Sequence, residues 1–275
     1  PSDMSFSVSE RESGFEYSSR GLGGFFADRA NLVRPAHYRL LVEILRFHRR
    51  ARRLVGDGDG AGDLALGAWL EQERFTPEFR RRFLYPMTSA LWSTSLAEIE
   101  AFPSRMLARF FHNHGLLQIT GNPRWRVVCG GSSSYLAPLT APFRDRVVTR
   151  AGVRTVLRTD VGVAIRLADG TLQADQVVFA CHGDEVLPLL QRPTPAEARV
   201  FGAFRTSENV TWLHTDTRLL PRRPAARASW NYHLGPEERA VTLTYDMNRL
   251  QSLGAARRYC VTLHPEGLVD PETVI

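Results

Sequence analysis

The pattern of hydrophobic and polar residues changes once along this chain, near Trp125. Before that point, apolar residues recur every three or four positions, which is the spacing of a helix with one buried face. The longest such run includes Leu40 and Phe47 and continues to about Leu54, with Pro35 where a first helical turn would begin. After Trp125, alternating and continuous apolar stretches predict strands. The pattern therefore predicts a mixed α/β or α+β chain.

The first part is predicted to be mainly helical, after a short hairpin of Ser5–Val8 and Phe15–Tyr17. A flexible break is predicted at Gly56–Gly60, where glycine and aspartate alternate. The further helices are predicted at Leu64–Leu70, Pro77–Leu84, Pro86–Trp92 and Pro103–His114.

Strands, turns and short helices alternate in the next segment. A strand at Arg126–Cys129 is followed by a tight turn at Gly130-Gly131 and by Ser132, a predicted N-cap of a helix to Leu139. The almost continuous apolar run Gln176–Cys181 predicts a strand buried on both faces. The remaining elements are predicted strands at Val147–Val156, Gly162–Leu167, Leu172–Ala174, Val210–His214, Ala228–His233, Ala240–Tyr245 and Tyr259–Leu263, and a short helix at Asp184–Leu190. Past Pro195 the pattern is strand-like throughout.

Composition is that of an ordinary globular protein: of 275 residues, 43% are hydrophobic and 23% are charged. Disorder, collagen and coiled coil are therefore excluded as descriptions of the whole chain. No stretch approaches the ~20 apolar residues that span a bilayer, and no signal peptide is recognisable, so we expect a cytoplasmic protein. The first residue is not methionine, and the chain is expected to be a piece of a longer one.

The charge balance changes this picture little. The chain has 35 basic and 29 acidic residues, a net charge of +6, and every basic residue is an arginine. This excess is modest, and we predict no nucleic-acid partner. The run His48–Arg53 contains Arg49, Arg50, Arg52 and Arg53 at the end of the longest predicted helix. It is typical of a solvated helix end that complements the helix dipole, and a peripheral contact with anionic lipid is the alternative.

Several residues have spacings that deserve a chemical interpretation. Gly130-Gly131 ahead of a capped helix is either an anion site or a tight turn. Ser132–Ser134 lacks the closing glycine of a nucleophile elbow, and Cys181-His182 are sequence neighbours that rarely face each other. His112 and His114 point ~200° apart on a helix. With three cysteines and no CxxC spacing, we predict neither a metal site nor a disulfide framework.

Three aromatic residues are candidates for lining an apolar substrate pocket: Trp92, Trp230 and Tyr232. The alternative is that they belong to the hydrophobic core, which is the commoner place for aromatic side chains at such spacing.

The segment Val147–Cys181 resembles the β-meander and following strand in the FAD-binding domain of flavin-containing amine oxidases. The matching residues are Val153–Val156, Gly162-Val163, Asp169-Gly170 and Ala174–Cys181. The chain also resembles a bacterial branch of predicted NAD/FAD-binding oxidoreductases. The blocks that carry this second resemblance are Pro86–Trp92, Phe110–Gly115, His214–Pro221 and Ala228–His233.

The resemblance implies a division into a mainly helical substrate domain (1–125), the central part of an FAD-binding domain (126–192) and a substrate-domain sheet (193–275). It implies that the nucleotide fingerprint and the second FAD motif of the family lie upstream and downstream of these residues. It also implies that the backbone of Val153 contacts the adenine of FAD, and that Ala180 and Cys181 lie near the dinucleotide.

The function implied is that of an FAD-dependent oxidoreductase, which removes hydride from a C–N or C–C bond of a small or apolar substrate. No general base can be assigned from the sequence, so the catalytic residues stay unknown. The alternative is a non-catalytic binding module, or a fragment without cofactor. By itself the chain is expected to be inactive and to retain little FAD.

Overall fold

A computed structural model describes residues 1–56, 64–92, 96–118, 124–204, 206, 208–235 and 242–275. These residues form two compact units: residues 1–127 with 209–275 (unit 1), and residues 128–208 (unit 2). Helices and strands occur in both units, which confirms the predicted mixed α/β class. The predicted break at Gly56–Gly60 lies outside the described residues except for Gly56 itself.

In chain order, the strands are β1 (Phe6–Glu10), β2 (Phe15–Ser18), β3 (Thr155–Thr159), β4 (Gly162–Arg166), β5 (Thr171–Ala174), β6 (Thr211–His214), β7 (Trp230–Leu234), β8 (Thr242–Asp246) and β9 (Cys260–Leu263). The α-helices are α1 (Gly21–Phe25), α2 (Pro35–Gly56), α3 (Leu66–Gln72), α4 (Pro77–Phe79), α5 (Tyr85–Trp92), α6 (Leu96–Ala101), α7 (Ser104–Asn113), α8 (Leu136–Thr140), α9 (Gly183–Leu189), α10 (Pro195–Phe201) and α11 (Met247–Leu250). A π-helical turn at Arg80–Leu84 joins α4 to α5.

Helix α2 organises the hydrophobic core of unit 1. Its buried face includes Leu40 and Phe47, at the helical spacing that the sequence predicts. The ring of Phe47 lies 5.6 Å from that of Phe79 and 6.1 Å from that of Phe111, measured between centroids. Helices α4 and α7 are therefore held against α2 by aromatic contacts. None of the described helices combines the length and apolar character needed to cross a membrane.

A buried carboxylate fixes where α4 begins. Thr76 caps this helix, and its hydroxyl accepts a hydrogen bond from the backbone N–H of Phe79 at 3.2 Å. Glu43, on α2, accepts a hydrogen bond from the backbone N–H of Thr76 at 3.0 Å and a second from its hydroxyl. Glu43 is buried, so its charge is compensated by donors that also hold the two helices together.

The six strands of unit 1 form one sheet in the order β2-β1-β7-β8-β9-β6. Strands β1 and β7 are parallel neighbours, although more than two hundred residues separate them in sequence. The predicted hairpin of β1 and β2 is confirmed, and the four strands predicted after Pro195 correspond to β6 through β9.

One face of this sheet is polar and buried, and Asn231 lies near its centre. The Asn231 Oδ1 atom accepts hydrogen bonds from the hydroxyl of Ser7 and the backbone N–H of Ala228, both at 2.9 Å. Its amide group donates to the carbonyl oxygens of Ala228, at 2.7 Å, and Thr244, at 3.2 Å. A side-chain amide can make about four hydrogen bonds, so Asn231 is fully used. It joins β1, β7, β8 and the segment before β7.

Unit 2 contains an antiparallel sheet of β3, β4 and β5 in that order, as expected of a β-meander. Val156 and Val163 are buried, and the backbone N–H of Gln191 donates to the carbonyl of Val156 at 3.0 Å. Helix α10 packs on α9, and unit 2 consequently extends to Glu208. The domain boundary predicted at residue 192 lies inside unit 2. The assignment of the three predicted segments to a substrate domain and an FAD-binding domain remains a prediction.

Two predicted strands of this region are wrong, and a third is shorter than predicted. Neither Arg126–Cys129 nor Gln176–Cys181 forms a strand, and β3 begins at Thr155 rather than at Val147. Val178 is 89% exposed. An apolar segment becomes a buried strand only when neighbouring strands take up its N–H and C=O groups, and in the described part of unit 2 the sheet does not pair with these segments.

The strand-like structure predicted immediately after Pro195 is also wrong, because helix α10 begins there. Thr194 accepts a hydrogen bond from the backbone N–H of Glu197 at 3.2 Å, and the Glu197 carboxylate accepts one from that of Thr194 at 2.8 Å. This capping box, with Pro195 in the first turn, starts α10. The predicted helix after Ser132 is present as a 3₁₀ turn followed by α8, and its N-cap is Gly131.

The contacts of Asn231 predict a specific effect of Asn231→Asp. The substitution keeps the shape but replaces an NH₂ donor by a carboxylate oxygen that faces two carbonyl oxygens. We expect it to lower the free energy of unfolding by roughly 3 kcal/mol. Urea unfolding followed by tryptophan fluorescence measures this effect in unit 1, because all five tryptophans lie there.

The matched control for this variant is Asn113→Asp, because Asn113 is exposed at the end of α7. There we expect a change below about 1 kcal/mol. Equal effects of the two substitutions would contradict the role given to Asn231.

Candidate functional site

The second face of the six-stranded sheet carries aromatic side chains and is called here the aromatic face. Residues opposite each other in neighbouring strands share a face, and the register places Trp230 beside Tyr245 and Tyr232 beside Leu243. Tyr232 and Leu243 are buried in unit 1. Trp230 packs edge-to-face on Tyr245, with 5.1 Å between ring centroids, and both residues are half-buried.

The aromatic face is open toward β9 and β6. Tyr245 lies beside Val261, and Val261 lies beside Leu213. Val261 is half-buried and Leu213 is 42% exposed. An apolar surface with aromatic rings at one side is suited to the apolar part of a small molecule. Sequence reasoning missed Tyr245, although its alternation with Leu243 along β8 is a signal that both share a face.

The three predicted substrate-lining aromatics are not brought together as one group. Trp230 and Tyr232 share the aromatic face, as their spacing of two in a strand requires. Trp92 ends α5, where its ring lies 4.7 Å from that of Phe110 and 5.1 Å from that of Phe102. Burial raises the pKa of the Tyr232 phenol, so this group is a neutral hydroxyl at ordinary pH.

The polar face contains a histidine that is completely buried. The Nδ1 atom of His214 accepts a hydrogen bond from the backbone N–H of Asp216 at 3.1 Å, so Nε2 carries the proton and lies 2.7 Å from the hydroxyl of Thr262. That hydroxyl in turn lies 2.8 Å from the hydroxyl of Thr244. Burial lowers the pKa of His214. Both ring nitrogens are occupied, so His214 acts as a structural connector between strands.

Cys260 lies directly opposite His214 in the sheet. Burial, and then the nearby carboxylate of Asp246, raise the pKa of the Cys260 thiol to about 12. A thiol in this state is neither nucleophile nor metal ligand at neutral pH. The chemistry of the polar face is therefore structural.

In unit 2, Gly130 and Gly131 form a tight turn. Both have positive φ, at 80° and 81°, which glycine adopts without strain. The backbone N–H of Gly131 donates to the carbonyl of Val128 at 3.1 Å and closes this turn, and the N–H and hydroxyl of Ser134 donate to the carbonyl of Gly131 at 3.2 and 2.7 Å. Helix α8 has five residues, too few for a substantial dipole, so the geometry supports the turn rather than an anion site.

The three predicted cofactor-contacting residues all lie on the surface of unit 2. Val153 is 40% exposed and precedes β3, while Ala180 and Cys181 are exposed ahead of α9. Among the described residues, the backbone N–H and C=O of Val153 make no hydrogen bond, whereas the N–H of Arg154 donates to the carbonyl of Arg166 at 2.8 Å. No hydrogen bond joins Val153 to Ala180 or Cys181 within the described chain.

The other candidates have structural partners. His114 Nδ1 lies 2.8 Å from the carbonyl oxygen of Phe110, and the two rings stack at 4.0 Å. The backbone N–H of His182 donates to the Glu185 carboxylate at 3.1 Å, at the start of α9. Within the described residues, no group of three or more His, Cys, Asp or Glu side chains could hold a metal ion.

Comparison with known proteins finds likeness at the level of structure. No protein-family model matches the chain, and no curated protein matches it. Among solved structures, wild-type putrescine oxidase bound to putrescine aligns with 95% of this chain at a TM-score of 0.62 and 13% identity. A triple mutant of putrescine oxidase, from a redesign of cofactor binding, aligns with 95% of the chain at a TM-score of 0.63 and 13% identity.

The crystal structure of a putative protoporphyrinogen oxidase from Exiguobacterium sp. 255-15 aligns with 95% of the chain at a TM-score of 0.53 and 14% identity. The aligned part is 57% of each putrescine oxidase chain and 58% of the third. This chain therefore spans a little more than half the length of these structures, and it shares their fold over nearly all of its own length.

The three cysteines differ in solvent exposure, and we expect them to fall into two classes of thiol reactivity. Cys129 and Cys181 are free and exposed, and Cys260 is free and buried. With a thiol-reactive dye at pH 8, we expect two thiols to react in the native protein. Cys260 should react at least ~1,000-fold more slowly, because a pKa near 12 leaves little thiolate. Rapid labelling of the double variant Cys129→Ser/Cys181→Ser would contradict the buried assignment, and the same variant in denaturant is the control.

Proposed function

We propose that this chain is part of an FAD-dependent oxidoreductase, which removes hydride from a C–N or C–C bond of a small or apolar substrate. The observation that carries the proposal is the fold shared with putrescine oxidase over 95% of the chain. The sequence resemblance to flavin-containing amine oxidases supports it independently, because that resemblance rests on the meander segment and on blocks in unit 1. The bacterial branch and the three domain names are part of the same proposal.

The surface of unit 2 fits the dinucleotide that this function requires. A backbone contact with adenine needs an N–H or C=O group that the fold leaves free. The backbone of Val153 meets this condition within the described residues, while the next residue already bonds to β4. Ala180 and Cys181 are exposed in the segment that leads to α9. We therefore assign Val153 to the adenine contact, and Ala180 and Cys181 to the neighbourhood of the dinucleotide.

The part of the chain that would receive substrate is the aromatic face of unit 1. FAD, when bound, supplies the hydride acceptor. The protein's own contribution is to hold the donor carbon in position and to exclude water. The ring pair of Trp230 and Tyr245, continued by Val261 and Leu213, offers an apolar surface for this purpose. Tyr232 lies on the same face of the sheet, and a substrate-lining role of Trp92 remains a prediction. The proposal assigns no proton transfer to a residue of this chain.

A second candidate function is a binding module without redox chemistry. The observation that favours it is that Gln176–Cys181 pairs with no strand of the described chain and that four of its six residues are exposed. A dinucleotide site needs its contacting segments to be held in place, and in the described chain this segment lacks strand partners. For the same reason we expect the 275-residue chain alone to retain little FAD.

The proposal predicts a yellow gene product with the absorption bands of bound FAD, when the entire natural protein is purified. In that protein, Val153→Pro removes the free N–H and should lower FAD affinity roughly 3- to 10-fold, as expected for one hydrogen bond. Fluorescence titration of the apoprotein with FAD measures the change.

The matched control is Val148→Pro in the same unit. Val148 is exposed and lies outside the strands, and its backbone N–H makes no hydrogen bond among the described residues. We expect Val148→Pro to leave FAD affinity unchanged. A colourless protein that stays colourless after FAD addition would overturn the proposed function. Equal affinities of the two variants would overturn the role of Val153 only.

A further inference from the structure

The outer side of α2 carries an exposed stripe, opposite to the side that contacts the core. Successive residues of a helix turn by about 100°, so Tyr38, Val42, Leu45, Arg49 and Arg53 fall within an arc of about 80°. All five are exposed, and the apolar three have exposed fractions of 43%, 62% and 39% in chain order. We call these five residues the outer stripe. Its first half is apolar and its second half is basic.

The apolar half continues beyond the start of α2. The hydroxyl of Tyr38 donates to the carbonyl oxygen of Leu32 at 2.9 Å, and its ring lies 5.5 Å from that of Phe26. Leu32 and Val33 are 50% and 83% exposed. Exposed apolar side chains in such a continuous row are uncommon on a monomeric soluble surface, and they mark contact with a partner or a membrane.

The basic half differs in its partners from two neighbouring arginines of α2, Arg46 and Arg50. Arg46 donates to the carbonyl of Arg74 at 2.8 Å, and Arg50 pairs with Glu73 at 3.0 Å. Within the part of the chain that the structure describes, Arg49 and Arg53 form no ion pair. Their charges are therefore available to an external anion.

We propose that the outer stripe of α2 docks on the surface of an anionic lipid bilayer. An interfacial helix lies in the plane of the membrane, with apolar side chains inserted at the headgroup boundary and arginines against lipid phosphates. The outer stripe has both parts in line along one helix of 22 residues, about 33 Å long at 1.5 Å per residue. The basic run predicted from sequence supplies the charge, and the apolar half supplies the insertion. This surface is independent of the proposed redox function.

Sedimentation with lipid vesicles tests the proposal on the purified chain. We expect binding to vesicles of phosphatidylcholine mixed with phosphatidylglycerol, weak binding to phosphatidylcholine alone, and release as salt is raised. Arg49→Gln/Arg53→Gln should weaken binding about 25-fold, at roughly 5-fold for each arginine. Val42→Ser/Leu45→Ser should weaken it at least about 5-fold.

Two double variants serve as controls, because they remove the same kinds of side chain from the surface of unit 2. Arg144→Gln/Arg146→Gln removes two exposed charges of unit 2, and Val161→Ser/Leu172→Ser removes two exposed apolar side chains there. Both should bind as the unaltered chain does, and circular dichroism establishes that every variant is folded. Absence of binding to the anionic vesicles, equal binding to neutral ones, or either outer-stripe pair behaving like its control would overturn the proposal.

Discussion

The buried polar face of the six-stranded sheet is the constraint on which unit 1 depends. Strands β1 and β7 must pair although they come from opposite parts of the sequence, and the amide of Asn231 connects both to β8 and to the chain entering β7. The carboxylate of Glu16 extends this arrangement by accepting hydrogen bonds from the backbone N–H groups of Arg222 and Arg223, at 2.8 and 3.0 Å. Leaving any of these buried groups unpaired costs more than its bond contributes, so the set of contacts specifies one packing.

The hydrogen bonds that stabilise the sheet lie on its polar face, so the aromatic face is available for function. The segment between β6 and β7 supplies hydrogen-bond partners to the polar face. One half of the aromatic face is buried against helices, and the other half is exposed. Trp230 and Tyr245 lie where the covered half meets the open half. In the proposed function, a substrate would rest on a surface whose rigidity comes from the hydrogen bonds on the reverse side of the same strands. In the proposed function, unit 2 contributes its own surface, on which the adenine contact of Val153 remains a prediction.

The spacing of hydrophobic residues predicted the elements that pair with sequence neighbours and those with a long repeating pattern. Helix α2, with Leu40 and Phe47 at helical spacing, and the strands β6 through β9 follow from it. The apolar run Gln176–Cys181 shows why the rest could not be predicted: hydrophobicity says that a segment suits a buried strand, but pairing decides whether it forms one. Helix α10 was missed although Thr194, Pro195 and Glu197 form a readable capping box. Asn231 could not be found from sequence, since asparagine is typical of turns and its role here needs Ser7 of β1 and Thr244 of β8 to lie beside it.

Hydrogen exchange of the segment between β6 and β7 tests whether the buried polar face holds unit 1 together. The amides of Arg222, Arg223 and Ala228 donate to side chains of the polar face rather than to a neighbouring strand. If the polar face holds unit 1 together, these amides should exchange only on global unfolding. Their exchange rates should then lie within about tenfold of those of the β8 amides. If these amides exchange as fast as exposed loop amides while the strands stay protected, the sheet is stable without these contacts, and the polar face does not determine the packing of unit 1.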